Sequence, residues 1–172
     1  RKGVAELVAG DPFDAKTTLA PLSSQSAANE VKQKILDAVK LGAKAEEVGP
    51  PVPVEGAFVQ PTILTDVAED NPARYWEFFG PVSMVFRAKD EADAIRLAND
   101  TPFGLGASLY SADLAKAEAL AAELEVGSVF INRHTSSDVR LPFGGVKASG
   151  YGRELSEFGL YEFVNVKTYW QR

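Results

Sequence analysis

The sequence predicts an α/β fold: a mostly parallel open sheet with flanking helices, ending in a C-terminal oligomerisation strand. Three observations predict it. Short apolar runs of strand length recur along the 172 residues. Stretches with apolar residues at helical spacing lie between them, and Gly, Pro, Ser or Asp marks most of the joints. That alternation belongs to helices covering a sheet whose neighbouring strands run the same way. A hydrophobic content of 45% and a charged content of 24% suit a chain of this length that buries a core.

Taken in order, the elements read as follows. After Pro21-Leu22, Ser23 or Ser24 can cap a helix. Its Ala28, Val31, Ile35 and Ala38 or Val39 fall on one face, and Gly42 is its stop. Gly49-Pro50-Pro51 then breaks the chain. Residues 58–64 read as a strand that Pro61 restricts to an edge or an irregular course. Residues 82–87, 106–110 and 126–132 read as apolar strands. Asp90 caps a short helix carrying Ala94, Ile95 and Ala98, closed by Pro102. Residues 113–124 form another, with Leu114, Ala117, Ala121 and Leu124 on one side. Near the end, Val164, Val166 and Trp170 alternate with Phe163, Asn165, Lys167 and Tyr169, a long strand apolar on both faces. Such an edge joins a sheet in a second subunit, packs on another part of its own chain, or is an ordinary edge strand. The expected organisation is one domain over 1–160 and the strand over 161–172.

Composition removes several function classes. A net charge of −6 without a basic stripe argues against nucleic acid. No apolar run reaches the length of a membrane span, and no signal peptide is present. There is no cysteine, so there are no disulfides, and a cytoplasmic location fits. With one histidine, a zinc site would rest almost wholly on carboxylates. The first residue is Arg1 rather than Met, so the chain is expected to be part of a longer protein.

Several tempting motifs fail on spacing. Gly144 through Gly150 contains Gly, Lys and Ser without the order of a phosphate-cradling loop. Gly104-Leu105-Gly106 and Gly150-Tyr151-Gly152 lack the third glycine of a dinucleotide fingerprint. His134, Ser136 or Ser137, and Asp138 are neighbours in sequence, whereas hydrolytic triads are assembled from distant segments. Two segments stand out instead. Glu77-Phe78-Phe79-Gly80-Pro81-Val82 sets a carboxylate and two aromatics before a turn into a buried strand. Such a spot can hold sugar hydroxyls and a flat ring, although on spacing alone packing is the better reading. Asn132 through Gly152 is a long loop rich in Ser, Gly and Arg behind a buried strand, where α/β proteins keep their sites.

These segments resemble the aldehyde dehydrogenase superfamily nearly end to end. The resemblance is carried by Gly10-Asp11-Pro12, Pro61-Thr62-Ile63-Leu64, Phe79-Gly80-Pro81-Val82 and Gly127-Ser128-Val129-Phe130-Ile131-Asn132, in that order. Its most specific piece is Pro142-Phe143-Gly144-Gly145-Val146-Lys147, followed by Ser149-Gly150-Tyr151-Gly152-Arg153-Glu154. Ser137-Asp138 and the run from Arg153 to Trp170 resemble the short bacterial succinate-semialdehyde dehydrogenases.

The resemblance implies an NAD- or NADP-dependent oxidation of a small aldehyde to its carboxylate, in a homo-oligomer joined through the C-terminal strand. It implies that Glu77 binds the nicotinamide ribose hydroxyls and that Phe79 and Leu105 lie against the nicotinamide. Phe143 would line the aldehyde pocket and Ser137 would bind the substrate's distal carboxylate. Arg133 or Arg140 could assist that anion, since a guanidinium suits a carboxylate. In the family a cysteine thiolate attacks the aldehyde, and a Glu-activated water hydrolyses the thioester. Both residues would precede Arg1, so this chain holds no catalytic residue of its own and should be inactive alone. The chain departs from the family pattern at Trp76, where an acidic residue is usual, and at Asn71-Pro72, Arg74-Tyr75 and Ala20. A second reading from another class stays open: a binding or assembly domain that reuses the fold without chemistry.

Overall fold

The computed structural model describes residues 1–172, which form two units, 1–87 and 88–172. The first begins with a short helix, α1 (Lys2–Ala5), and is organised by the long helix α2 (Gln25–Lys40). Ser24 caps α2, its Oγ accepting from the Ala27 N–H at 3.1 Å, which satisfies a donor the helix start would otherwise leave free. Gly42 ends it in a left-handed conformation, φ +100°, that a side chain would resist.

Three strands follow: β1 (Lys44–Glu47), β2 (Thr62–Thr65) and β3 (Val82–Met84). They lie in the order β1-β2-β3, antiparallel and then parallel, with Leu64 opposite Ala45 and Met84. Pro61 stands just before β2, so it removes no donor from the ladder, and β2 occupies the centre of this sheet rather than an edge. The buried face of α2 packs over it. Ala38 joins Leu64, Ala73 and Phe78, while Ala28 and Val31 meet Val59. Ile35 and Val82 touch both groups and make the core continuous.

A 3₁₀ turn, Pro72–Tyr75, leads into the segment before β3. Asn71, only 1% exposed, holds it in place. Its Nδ2 donates to the Ala38 and Leu41 carbonyls at 3.0 and 3.3 Å, and its Oδ1 accepts from the Ala73 N–H at 3.0 Å. One side chain thus ties the end of α2 to the start of the turn. The buried Arg74 lies over the Tyr75 and Phe86 rings, its guanidinium carbon 5.6 Å from each centroid.

The second unit contains α3 (Glu91–Asn99), β4 (Phe103–Gly104), β5 (Gly106–Leu109), α4 (Leu114–Ala121), β6 (Ser128–Ile131), β7 (Val146–Lys147) and α5 (Ser156–Tyr161). Asp90 and Asp113 cap α3 and α4 through their carboxylates. β5, α4 and β6 make a βαβ unit with parallel strands, Gly106 opposite Ser128 and Leu109 opposite Ile131. β4 and β7 pair antiparallel. Ala117 is the one fully buried apolar side chain of this unit.

Within the chain the strands thus form three small sheets of mixed sense rather than one open parallel sheet. The expected C-terminal strand makes no ladder here: residues 165–172 are exposed and pair with no other strand of the chain. No helix is long and apolar enough to cross a membrane.

Candidate functional site

The segment before β3 alternates about the core of the first unit. Phe78 is buried, and Trp76 packs edge-on against it with ring centroids 6.4 Å apart. Glu77 and Phe79, on either side, are exposed. The Phe79 ring is 78% exposed, and its backbone is left-handed at φ 51°. A left-handed phenylalanine costs conformational energy, and an exposed ring recovers none of it by burial. Gly80 follows with no room to spare: a Cβ there would lie 3.0 Å from Val31. Lys34 donates to the Glu77 carbonyl at 3.1 Å and pairs with Glu30 at 2.8 Å. The backbone is therefore held from the α2 side while the Glu77 carboxylate stays available. A carboxylate beside a bare aromatic ring fits a ribose and the flat base attached to it.

In the second unit, Leu105, Ser137 and Phe143 come together around one cleft of about 220 Å³. Leu105 and Phe143 supply its apolar wall. Gly106 and Ser128, a paired position of β5 and β6, form its base, and Thr135, Ser136 and Ser137 line it with hydroxyls. Thr135 escaped notice in the sequence, and Ser128 and Ser136 were seen there only as part of a family motif and of a rejected triad, not as lining of a pocket.

The walls are fixed by the glycine-rich segment. Phe143 and Glu154 exchange two backbone hydrogen bonds, both 2.8 Å. The β4–β7 pairing sets Gly104 against Val146, which pins Leu105 just beyond it. A Cβ on Gly127 would fall 1.7 Å from the Gly144 carbonyl oxygen, so β6 approaches this segment backbone to backbone. Arg153 donates to the Gly145 and Gly152 carbonyls at 2.8 and 2.6 Å. These glycines therefore serve close packing rather than a phosphate, in line with their spacing.

Asn132 governs the start of the hydroxyl-bearing loop. Its backbone is left-handed at φ 56°, a conformation asparagine tolerates better than most residues. Its N–H donates to the Leu109 carbonyl at 2.8 Å. Its side chain accepts from the Ser111 N–H at 2.9 Å and donates to the Ser111 carbonyl at 2.8 Å. His134 packs edge-on to Tyr110 and hydrogen-bonds to neither Ser136, Ser137 nor Asp138, so the triad drawn from sequence neighbours is not formed.

The chain matches the Aldehyde dehydrogenase family over residues 1–169. It belongs to that family. Among its relatives in the aldehyde dehydrogenase family is the succinate-semialdehyde dehydrogenase [NADP(+)] of Deinococcus radiodurans, 49% identical over 160 residues, which covers 93% of this chain and 34% of that protein. A crystal structure of succinic semialdehyde dehydrogenase from Streptococcus pyogenes, in complex with NADP+ as the cofactor, superimposes with a TM-score of 0.90 at 45% identity, covering 95% of this chain and 36% of that one. Betaine aldehyde dehydrogenase from Staphylococcus aureus, in complex with NAD+, gives 0.86 at 35% identity, covering 94% and 33%. The chain thus spans about a third of the length of the relatives it matches.

Proposed function

We propose that this chain forms the nicotinamide-side and aldehyde-side walls of an NAD(P)-dependent aldehyde dehydrogenase whose substrate is succinate semialdehyde. The observation that carries the reading is the cleft, where an apolar wall of Leu105 and Phe143 faces the hydroxyls of Ser136 and Ser137. An aldehyde with a short carbon chain and a distal carboxylate has matching parts. The chain packs on Phe143, and the anion accepts from Ser137. The printed names of the Deinococcus and Streptococcus relatives support the same substrate.

Glu77 would bind the ribose hydroxyls of NAD or NADP, with Phe79 and Leu105 against the nicotinamide. When bound, that cofactor supplies the acceptor for a hydride. Glu77 and Phe79 need no rearrangement of the core to meet such a ligand, since both already project from it. The chain has no cysteine, so the thiol that attacks the aldehyde would come from outside it, and by the family resemblance the Glu that activates water would too. Alone, the chain is expected to be inactive. The exposed Val166, Tyr169 and Trp170 suit a strand that adds to a sheet of a second subunit.

The test is an assay of the full-length product of the gene encoding this chain. Succinate semialdehyde is supplied, and reduction of NAD and of NADP is followed separately, with the 172-residue chain as control. Reduction by the full-length product alone is the expected result. Inactivity with every aldehyde tried would replace this reading with that of a binding or assembly domain.

A further inference from the structure

The loop after β6 carries two guanidinium groups, and they are differently occupied. Arg140 is committed to Asp138. Its Nε donates to Oδ1 at 2.9 Å and its Nη2 to Oδ2 at 2.6 Å, while its backbone N–H adds a third bond at 3.0 Å. Two side chains that satisfy each other in this way leave little net charge for a ligand.

Arg133 has no carboxylate in ion-pair contact. Its guanidinium carbon lies 5.9 Å from the Phe130 ring centroid, and its Nη2 donates to Ser136 Oγ at 3.0 Å. A guanidinium has donors and no acceptor, so Ser136 accepts in that bond and its own O–H must donate elsewhere. A hydroxyl whose oxygen is held by a cation is also a stronger donor. Ser136 lines the cleft beside Ser137 and also lines the adjoining hollow that holds Arg133, with Ser128 and Phe143 common to both.

We infer that Ser136, polarised by Arg133, is a second hydroxyl donor to the anionic end of the substrate. Within this chain the distal carboxylate of the aldehyde is then met by the Ser136–Ser137 pair rather than by Ser137 alone. Arg133 is a positioning residue that acts through Ser136. The inference rests on the reading of this cleft as the aldehyde pocket.

The experiment compares succinate semialdehyde with butanal, a neutral aldehyde of the same carbon number, in the full-length gene product. The variants are Ser136→Ala, Arg133→Met and Arg133→Lys, with Ser137→Ala as reference. Loss of one hydrogen bond to a charged group should raise KM for succinate semialdehyde on the order of tenfold in Ser136→Ala and Arg133→Met. KM for butanal and both kcat values should stay within about twofold. Arg133→Lys, which keeps a cationic donor, should recover part of the loss. An equal rise in KM for both aldehydes would reduce the two residues to wall-builders and overturn the inference. So would an unchanged KM in Ser136→Ala and Arg133→Met beside a raised one in Ser137→Ala, an outcome that leaves the reading of the cleft intact. Absence of activity with any aldehyde would remove both together.

Discussion

Replacing Asn71 by alanine removes three hydrogen bonds from the interior of the first unit. The cost follows from what each partner has left. The Ala38 carbonyl still accepts from the Ala43 N–H at 3.1 Å, so it is not orphaned. The Leu41 carbonyl loses the Asn71 donor, and the fully buried Ala73 loses the acceptor of its N–H. The buried Ala73 N–H costs about 1–3 kcal/mol and the carbonyl of the half-exposed Leu41 less, which with the lost bond to Ala38 gives a loss of roughly 3–4 kcal/mol. With a urea slope of about 2 kcal/mol per molar, the midpoint falls by roughly 2 M. Trp76 is a suitable reporter, because it packs on Phe78 whereas the other tryptophan, Trp170, is exposed. Asn71→Asp sharpens the test. Its carboxylate keeps the bond from Ala73 but faces two carbonyl oxygens, so folding raises its pKa above the unfolded value of about 3.9. Stability is then best retained below that pH and is lost as pH rises through the folded value. The Asp variant should weaken between about pH 4 and pH 7, while the Ala variant keeps a constant deficit over the same range. A loss below about 1 kcal/mol in the Ala variant, or a flat profile in the Asp variant, would refute the assignment of Asn71 as the clasp between α2 and the turn.

Gly127→Ala should cost about 3 kcal/mol or more, because its Cβ meets the Gly144 backbone. Gly42→Ala, with open space around it but φ +100°, should cost only about 1–2 kcal/mol, and equal urea midpoints for the two would contradict the close approach at Gly127. The side-chain hydrogen bond from Arg140, followed by its backbone N–H, holds the Asp138 carboxyl below the usual carboxylate range. Its contribution to holding the loop is therefore present above that range and lost only as pH falls through the lowered folded value. A carboxyl-carbon NMR titration that placed Asp138 at an ordinary value would break the pairing. Phe79→Ala should change the stability read from urea unfolding by no more than about 0.5 kcal/mol, since the ring is largely exposed, while raising KM for the nicotinamide cofactor in the full-length product.

Elements bounded by strong local signals were readable in the sequence. Ser24 and Asp90 cap helices where their positions suggested, Asp113 caps the helix it was expected to open, and Ala28, Val31 and Ala38 are buried at the expected spacing. β1 was not readable, because Lys44-Ala45-Glu46-Glu47 is exposed along its length and has no apolar alternation. Leu114 belongs by spacing to the inner side of α4, yet it stands at the exposed first turn, where Ala117 alone is fully buried. Leu105 and Phe143 could be named from the family resemblance, and the cleft brings them together with Ser137. The separate commitments of Arg133 and Arg140 were beyond sequence reasoning. They depend on a turn that folds Arg140 back onto a carboxylate two residues away.

The Asn132 amide completes the β5–β6 ladder with a side chain in place of a backbone unit, one step past the last paired residues Leu109 and Ile131. A sheet terminated in this way does not depend on what comes after it for its register. The loop from Arg133 to Phe143 springs from a locked hinge point and is received by the Phe143–Glu154 bridge at its far end. Between those two fasteners the Ser156 N–H holds the Val139 carbonyl at 3.0 Å, so the stretch from His134 to Asp138 is the part whose chemistry can be exchanged with least effect on the strands. Grafting the corresponding stretch from an enzyme with a different aldehyde preference, with Asn132 and Phe143 retained, is the economical route to a new specificity on this scaffold.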